Sequence, residues 1–60
     1  MYRVGICDDD KVLCSLLEEQ IQGLSAEFSI KFEIEVWYSG ESLESDLKKG
    51  VGLDILFLDI

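Results

Sequence analysis

Lys31-Phe32-Glu33-Ile34-Glu35-Val36-Trp37-Tyr38 alternates charged and apolar side chains from Lys31 through Val36. Successive side chains of an extended segment point to opposite faces, so Phe32, Ile34 and Val36 share one face and Lys31, Glu33 and Glu35 the other. A strand with one polar face borders water, which places it near an edge of its sheet. That placement decides the strand order, and the flanking segments decide what the sheet is.

N-terminal to this strand the period changes. Leu13, Leu17, Ile21 and Leu24 recur at three and four residues, with Val12 and Leu16 beside them, and Glu18, Glu19, Gln20 and Gln22 fill much of the other side. This is the apolar stripe of a helix. Gly23 weakens it by up to ~1 kcal/mol relative to alanine, and both Gly23 and Phe28 stay open as its end. Before the helix, Tyr2–Cys7 is short, largely apolar and followed by Asp8-Asp9-Asp10, which predicts a first strand. After Tyr38, Ser39-Gly40 turns the chain and Ser39 can cap a second helix with a thin seam at Leu43 and Leu47. Lys48 and Lys49 suit the negative end of that helix, and Gly50 suits the left-handed position beyond it. Leu53–Leu58 is almost wholly apolar, which predicts a third strand buried on both faces.

The order is therefore β-α-β-α-β in one unit, without repeats, linkers or proline. Alternating elements with such connections give parallel strands and right-handed crossovers. Strand orders 2-1-3 and 1-2-3 both satisfy this. The polar face of the middle strand favours an edge place, so the expected fold is α/β with a parallel sheet ordered 2-1-3.

Composition narrows the function. Sixty residues make at most one domain. With 48% apolar and 10% aromatic residues the chain can build a core and is not disordered on composition. Thirteen acids against five bases give a formal charge of −8, which argues against nucleic-acid contact by these residues. Each half carries −4, six acids against two bases in 1–30 and seven against three in 31–60, so no charged tail is set apart. The run Ile55–Leu58 falls far short of the roughly 20 residues a membrane span needs, and the start turns acidic too soon for a signal peptide. These readings predict no membrane contact and a cytoplasmic location. Cys7 and Cys14 lack C-x-x-C spacing, and with no histidine in the chain they read as small core residues rather than zinc ligands or redox groups.

In open parallel sheets, ligands bind beyond the carboxyl ends of the strands where the order reverses, which in a 2-1-3 sheet lies between strands one and three. Strand one ends in Asp8-Asp9-Asp10 and strand three in Asp59. Neighbouring strands lie about 4.8 Å apart, so Asp8, Asp9 and Asp59 are expected to converge. Two carboxylates about 4 Å apart repel by roughly 4 kcal/mol at an effective dielectric near 20; a proton or a cation relieves this. A donor set of oxygens alone favours a hard ion, Mg2+ first. Asp10 reads as a helix cap. Capping accounts for an acidic run before a helix without any chemistry, so the paired strand ends, rather than the run itself, point to a site.

Ile6-Cys7-Asp8-Asp9-Asp10, a first amphipathic helix and then Asp54-Ile55-Leu56-Phe57-Leu58-Asp59-Ile60 together resemble the N-terminal half of a response-regulator receiver domain, a flavodoxin-like fold of two-component signalling. The Ile-Cys-Asp-Asp-Asp opening and the Tyr38-Ser39-Gly40-Glu41-Ser42-Leu43 turn look like receivers attached to LytTR-type DNA-binding domains. The resemblance implies that Asp59 is the phosphoacceptor, taking a phosphoryl group from a sensor histidine kinase, and that Asp8 and Asp9 place Mg2+, with Asp9 the more direct ligand and Asp59 sharing the ion. It implies a protein that is not itself an enzyme, with DNA contacted only through a separate output domain. It also implies that residues 1–60 are a partial receiver. The carbonyl two residues past the phosphoacceptor, the Ser or Thr ending strand four, the Lys ending strand five and the last helices of the family have no counterpart in these residues. The sixty residues alone are then expected to take up little or no phosphate, and the free edge of strand three to drive self-association.

Two other readings compete. The half-fold can serve as a non-catalytic interaction or dimerisation module, carried by a strand edge and the stripe of the first helix. Asp59 can also be compared with the nucleophile of haloacid-dehalogenase-like phosphatases, but those place it after the first strand of the fold and need a second Asp two residues later. Trp37 reads as packing at the end of its strand.

Overall fold

The computed structural model describes residues 1–59. Five elements follow one another: β1 (Tyr2–Asp8), α1 (Lys11–Phe28), β2 (Phe32–Trp37), α2 (Gly40–Lys48) and β3 (Ile55–Asp59). The three strands form one parallel sheet in the order β2-β1-β3, as the polarity of β2 predicts. Leaving β1 for an edge on one side, then crossing back over it to the other edge, puts the two crossover helices on opposite faces.

The register carries the alternation across the sheet. Val4 pairs with Ile34 and Ile55, and Ile6 with Val36 and Phe57. Val4 and Ile6 are buried with Cys14 and Ile21 of α1, and Leu17, Phe32, Ile34 and Val36 close around them. On the opposite face Cys7, Trp37 and Leu43 form a second cluster with Val51 and Leu53. The Trp37 indole N–H donates to Asp46 Oδ2 at 2.7 Å, which ties α2 to the end of β2 and gives the buried ring its polar partner.

Capping fixes the helix limits. The Asp10 carboxylate accepts from Val12 N at 3.0 Å and Leu13 N at 3.1 Å, starting α1. The helix passes through Gly23 to Phe28. Its stop is Ser29, left-handed at φ 55°, whose backbone N–H donates to the Ser25 carbonyl. The Ser25 hydroxyl donates to the Ile30 carbonyl and secures the same turn. Ser39 Oγ accepts from Ser42 N at 3.2 Å and caps α2, and Gly50 takes the left-handed conformation (φ 95°) after it.

Two expectations about burial are corrected. The apolar run Leu53–Leu58 predicts burial on both faces, whereas β3 begins only at Ile55 and all of its side chains are exposed, with Leu58 at 56%. Its apolar run reflects two faces that α1 and α2 do not reach, because each helix packs chiefly over β1 and β2. Likewise Cys14, Leu17 and Ile21 are the residues of α1 that reach the core, while Val12, Leu13, Leu16 and Leu24 stay exposed. β3 is anchored at its start instead: Arg3 N donates to Asp54 Oδ2, and Asp54 N donates to the Arg3 carbonyl, both at 2.8 Å. Among the described residues no helix is long and apolar enough to cross a membrane.

Gly5 of β1 has little room for a side chain. A Cβ there would lie 2.8 Å from Leu53 Cδ1, 2.9 Å from Trp37 Cζ3 and 3.1 Å from Leu56 Cδ1. Gly5→Ala is expected to lower unfolding free energy by about 1–3 kcal/mol, as overpacking does. Urea unfolding followed by Trp37 fluorescence measures it; an unchanged midpoint would mean that the leucine tips and the indole yield freely.

Candidate functional site

The carboxyl ends of β1 and β3 lie side by side, with Asp8 and Asp59 as register partners. Asp8 is buried, at 5% exposure, whereas Asp9 and Asp59 are exposed. The buried carboxylate is held by the turn that follows it: Asp10 N donates to Asp8 Oδ1 at 2.9 Å. The Cys14 thiol donates to the Asp8 carbonyl at 3.4 Å from the first turns of α1. One residue thus ends β1, shapes the turn and sets the spacing to the helix, while Asp10 performs the capping.

The three candidate acids line one crevice of about 220 Å³, together with Cys7, Tyr38, Ser39 and Gly40. The expected convergence is met at that level only. Among the described residues no three carboxylate, thiol or imidazole groups are drawn into a cluster able to hold a metal ion, so Asp8, Asp9 and Asp59 do not form a ready-made cage. Their donor chemistry still fits Mg2+, which binds oxygen, keeps several waters and needs only a few protein ligands. Asp8, Asp9 and Asp59 would be the residues to hold it.

The second wall of the crevice is formed by Tyr38, Ser39 and Gly40, which no local motif marks as part of a site. Local sequence gives Ser39 the role of a helix cap, and the fold adds it to this wall. The signal was present in the strand order: with β2 beside β1, the turn after β2 must emerge next to the turn after β1. Lys11, the first residue of α1, places its Nζ over the Tyr38 ring, 5.2 Å from the centroid. A second, largely apolar trough of about 290 Å³ adjoins on the α1 face, where Leu13 and Leu17 look across to Phe57, and it shares Asp8 and Asp59 with the crevice.

Both thiols are free and buried. Burial pushes the Cys7 and Cys14 thiols above their ordinary value, and the charge of Asp8 adds to the shift on both. That disfavours the thiolate and leaves them as packing groups. No family model, curated protein or solved structure matches this chain.

The raised thiols make a pH prediction. The folded chain holds these protons more tightly than the unfolded chain, so stability is full below the unfolded thiol pKa of about 8.5 and falls as pH rises through the folded values. Urea midpoints are expected to decline as pH rises above about 8.5, and less steeply in Cys14→Ala. Equal slopes in the two proteins would remove Cys14 as the cause.

Proposed function

We propose that this chain is the receiver portion of a two-component response regulator, with Asp59 accepting a phosphoryl group. The observation that carries the reading is the pairing of Asp59, exposed at the end of β3, with Asp8, buried and oriented at the end of β1, and with Asp9 in the same crevice. Exposure leaves Asp59 open to a donor. An Asp59 oxygen attacks phosphorus, the bond from phosphorus to the imidazole of a kinase phosphohistidine breaks, and the phosphoryl group remains as an acyl phosphate while the imidazole takes up a proton. Asp8, fixed by the Asp10 N–H, holds a second carboxylate beside the reacting one. Mg2+ bound by Asp8, Asp9 and Asp59 would supply charge neutralisation and orientation. The chain is a phosphoacceptor rather than an enzyme with turnover. Its charge of −8 leaves DNA contact to a separate output domain of the LytTR type, in a cytoplasmic transcriptional regulator.

In the intact protein that carries these residues, Mg2+ and a small phosphodonor are expected to add one phosphoryl group, read by mass spectrometry. Asp59→Asn is expected to abolish the addition; an equal mass gain in the variant would sink the assignment.

β3 favours a second reading. Its apolar side chains are exposed on both faces, and among the described strands it pairs only with β1. An edge of that kind templates pairing with another chain. In this reading the half-fold is an interaction or dimerisation module, self-associating through β3 with no phosphate chemistry. It requires that Mg2+ fail to bind the intact protein and that light scattering at micromolar concentration give an oligomer. A stable, compact 6.8 kDa species would exclude that oligomer.

A further inference from the structure

Trp37 ends β2, yet its ring does not stay over its own strand. Its register partner in β1 is Cys7, and two positions back on the same face of β1 stands Gly5. Gly5 leaves a slot in that face, and three side chains fill it. Trp37 Cζ3, Leu53 Cδ1 and Leu56 Cδ1 all lie within 3.1 Å of the point where a Cβ would stand. Leu56 belongs to β3 and pairs with Gly5 across the sheet. A β2 ring thus meets a β3 side chain over the central strand.

The other end of the indole is held by α2. Its N–H donates to Asp46 Oδ2 at 2.7 Å, and Leu43 of the same helix packs in one cluster with Trp37 and Cys7. The start of α2 is tied to the same cluster, because the Cys7 thiol donates to the Ser39 carbonyl at 3.5 Å. Ser39 and Gly40 line the crevice, and so does Asp59, three residues beyond Leu56 on β3. A continuous set of contacts therefore runs from the strand that carries Asp59 to the helix that begins at the opposite wall.

We propose that Trp37 is a conformational relay between these two walls. A shift of β3 moves the indole through Leu56, and the indole moves α2 through Asp46. Close-packed interiors transmit displacement rather than absorb it, and at 5% exposure the ring has no solvent to swing into. The hydrogen bond to Asp46 adds little slack, since such bonds keep a narrow range of distance and angle. α2 packs chiefly over β1 and β2, and the indole extends its reach to β3. The relay holds whatever the crevice binds, so it stands or falls apart from the phosphoacceptor reading of Asp59.

The test is NMR on the intact protein that carries these residues. Leu56→Ala trims the β3 end of the relay and leaves Trp37 and Asp46 in place. It is expected to raise solvent exchange of the indole N–H about tenfold beyond any rise at the Val4 and Ile6 amides, the effect of slackening one hydrogen bond to a charged group. The Ser39 and Gly40 amide resonances are expected to move, and those of Tyr2 and Phe32, at the far end of the sheet, to hold. Leu56→Val is expected to give smaller changes in the same direction. From the other end, Asp46→Ala is expected to move the Leu56 methyl resonances, and to leave them in place when Trp37→Phe has already removed the donor. Unchanged indole exchange in Leu56→Ala would overturn the relay, as would Leu56 methyls that ignore Asp46→Ala. An exchange rise matched at Val4 and Ile6 would reduce Trp37 to a general core residue. A methyl shift that persists in the Trp37→Phe background would show that another route carries the coupling. Either result also overturns the proposal.

Discussion

Everything in this fold hangs from the central place of β1. It is the strand with partners on both edges and a helix on each face, and Val4, Ile6 and Cys7 are each only 1% exposed. A strand enclosed on four sides must be apolar on both faces, and β1 is, from Val4 to Cys7. Its one polar buried residue is its last, Asp8, where the sheet ends and a hydrogen bond from the next turn becomes available. Enclosure of β1 thus produces both the core and the one desolvated carboxylate of the crevice. The same constraint favours Gly5, since Leu53, Trp37 and Leu56 all press on the face where its side chain would stand.

The crevice follows from topology rather than from any one motif. Parallel strands bring their carboxyl ends to one rim, and the 2-1-3 order puts the turns after β1 and β2 next to each other with Asp59 on the far side. Carboxylates that share a rim repel one another, a cost that a proton or a cation would relieve. The distribution of basic residues is the complement: they gather at the other end of the sheet, apart from Lys11.

The sequence disclosed the element order, the strand order, the Asp10 and Ser39 caps and the adjacency of Asp8 with Asp59, because each depends on local periodicity or on a turn with a known partner. Glu33 and Glu35 alone were enough to send β2 to an edge. What stayed hidden depends on which element lies over which. An apolar run such as Ile55–Leu58 tells that a strand is able to be buried, and only the reach of α1 and α2 tells whether it is. Lys11 and Tyr38 are 27 positions apart and ordinary by type, so their meeting over the crevice follows from packing alone. The end of α1 was ambiguous for a different reason: a glycine weakens a helix but does not stop one, and the stop was supplied by Ser29.

Asp59 rides on the strand with the fewest attachments. β3 is bonded along one edge, both of its faces are open, and its start is clipped to Arg3 through Asp54. Segments with few buried contacts open locally at lower free-energy cost than the core beside them. A ligand that binds only when Asp59 is in register with Asp8 therefore adds its binding free energy to the closed form of β3, by mass action. In such an arrangement occupancy of the crevice and order of the strand are one variable. A ligand of the crevice would then act as a thermodynamic clamp on a whole edge of the sheet.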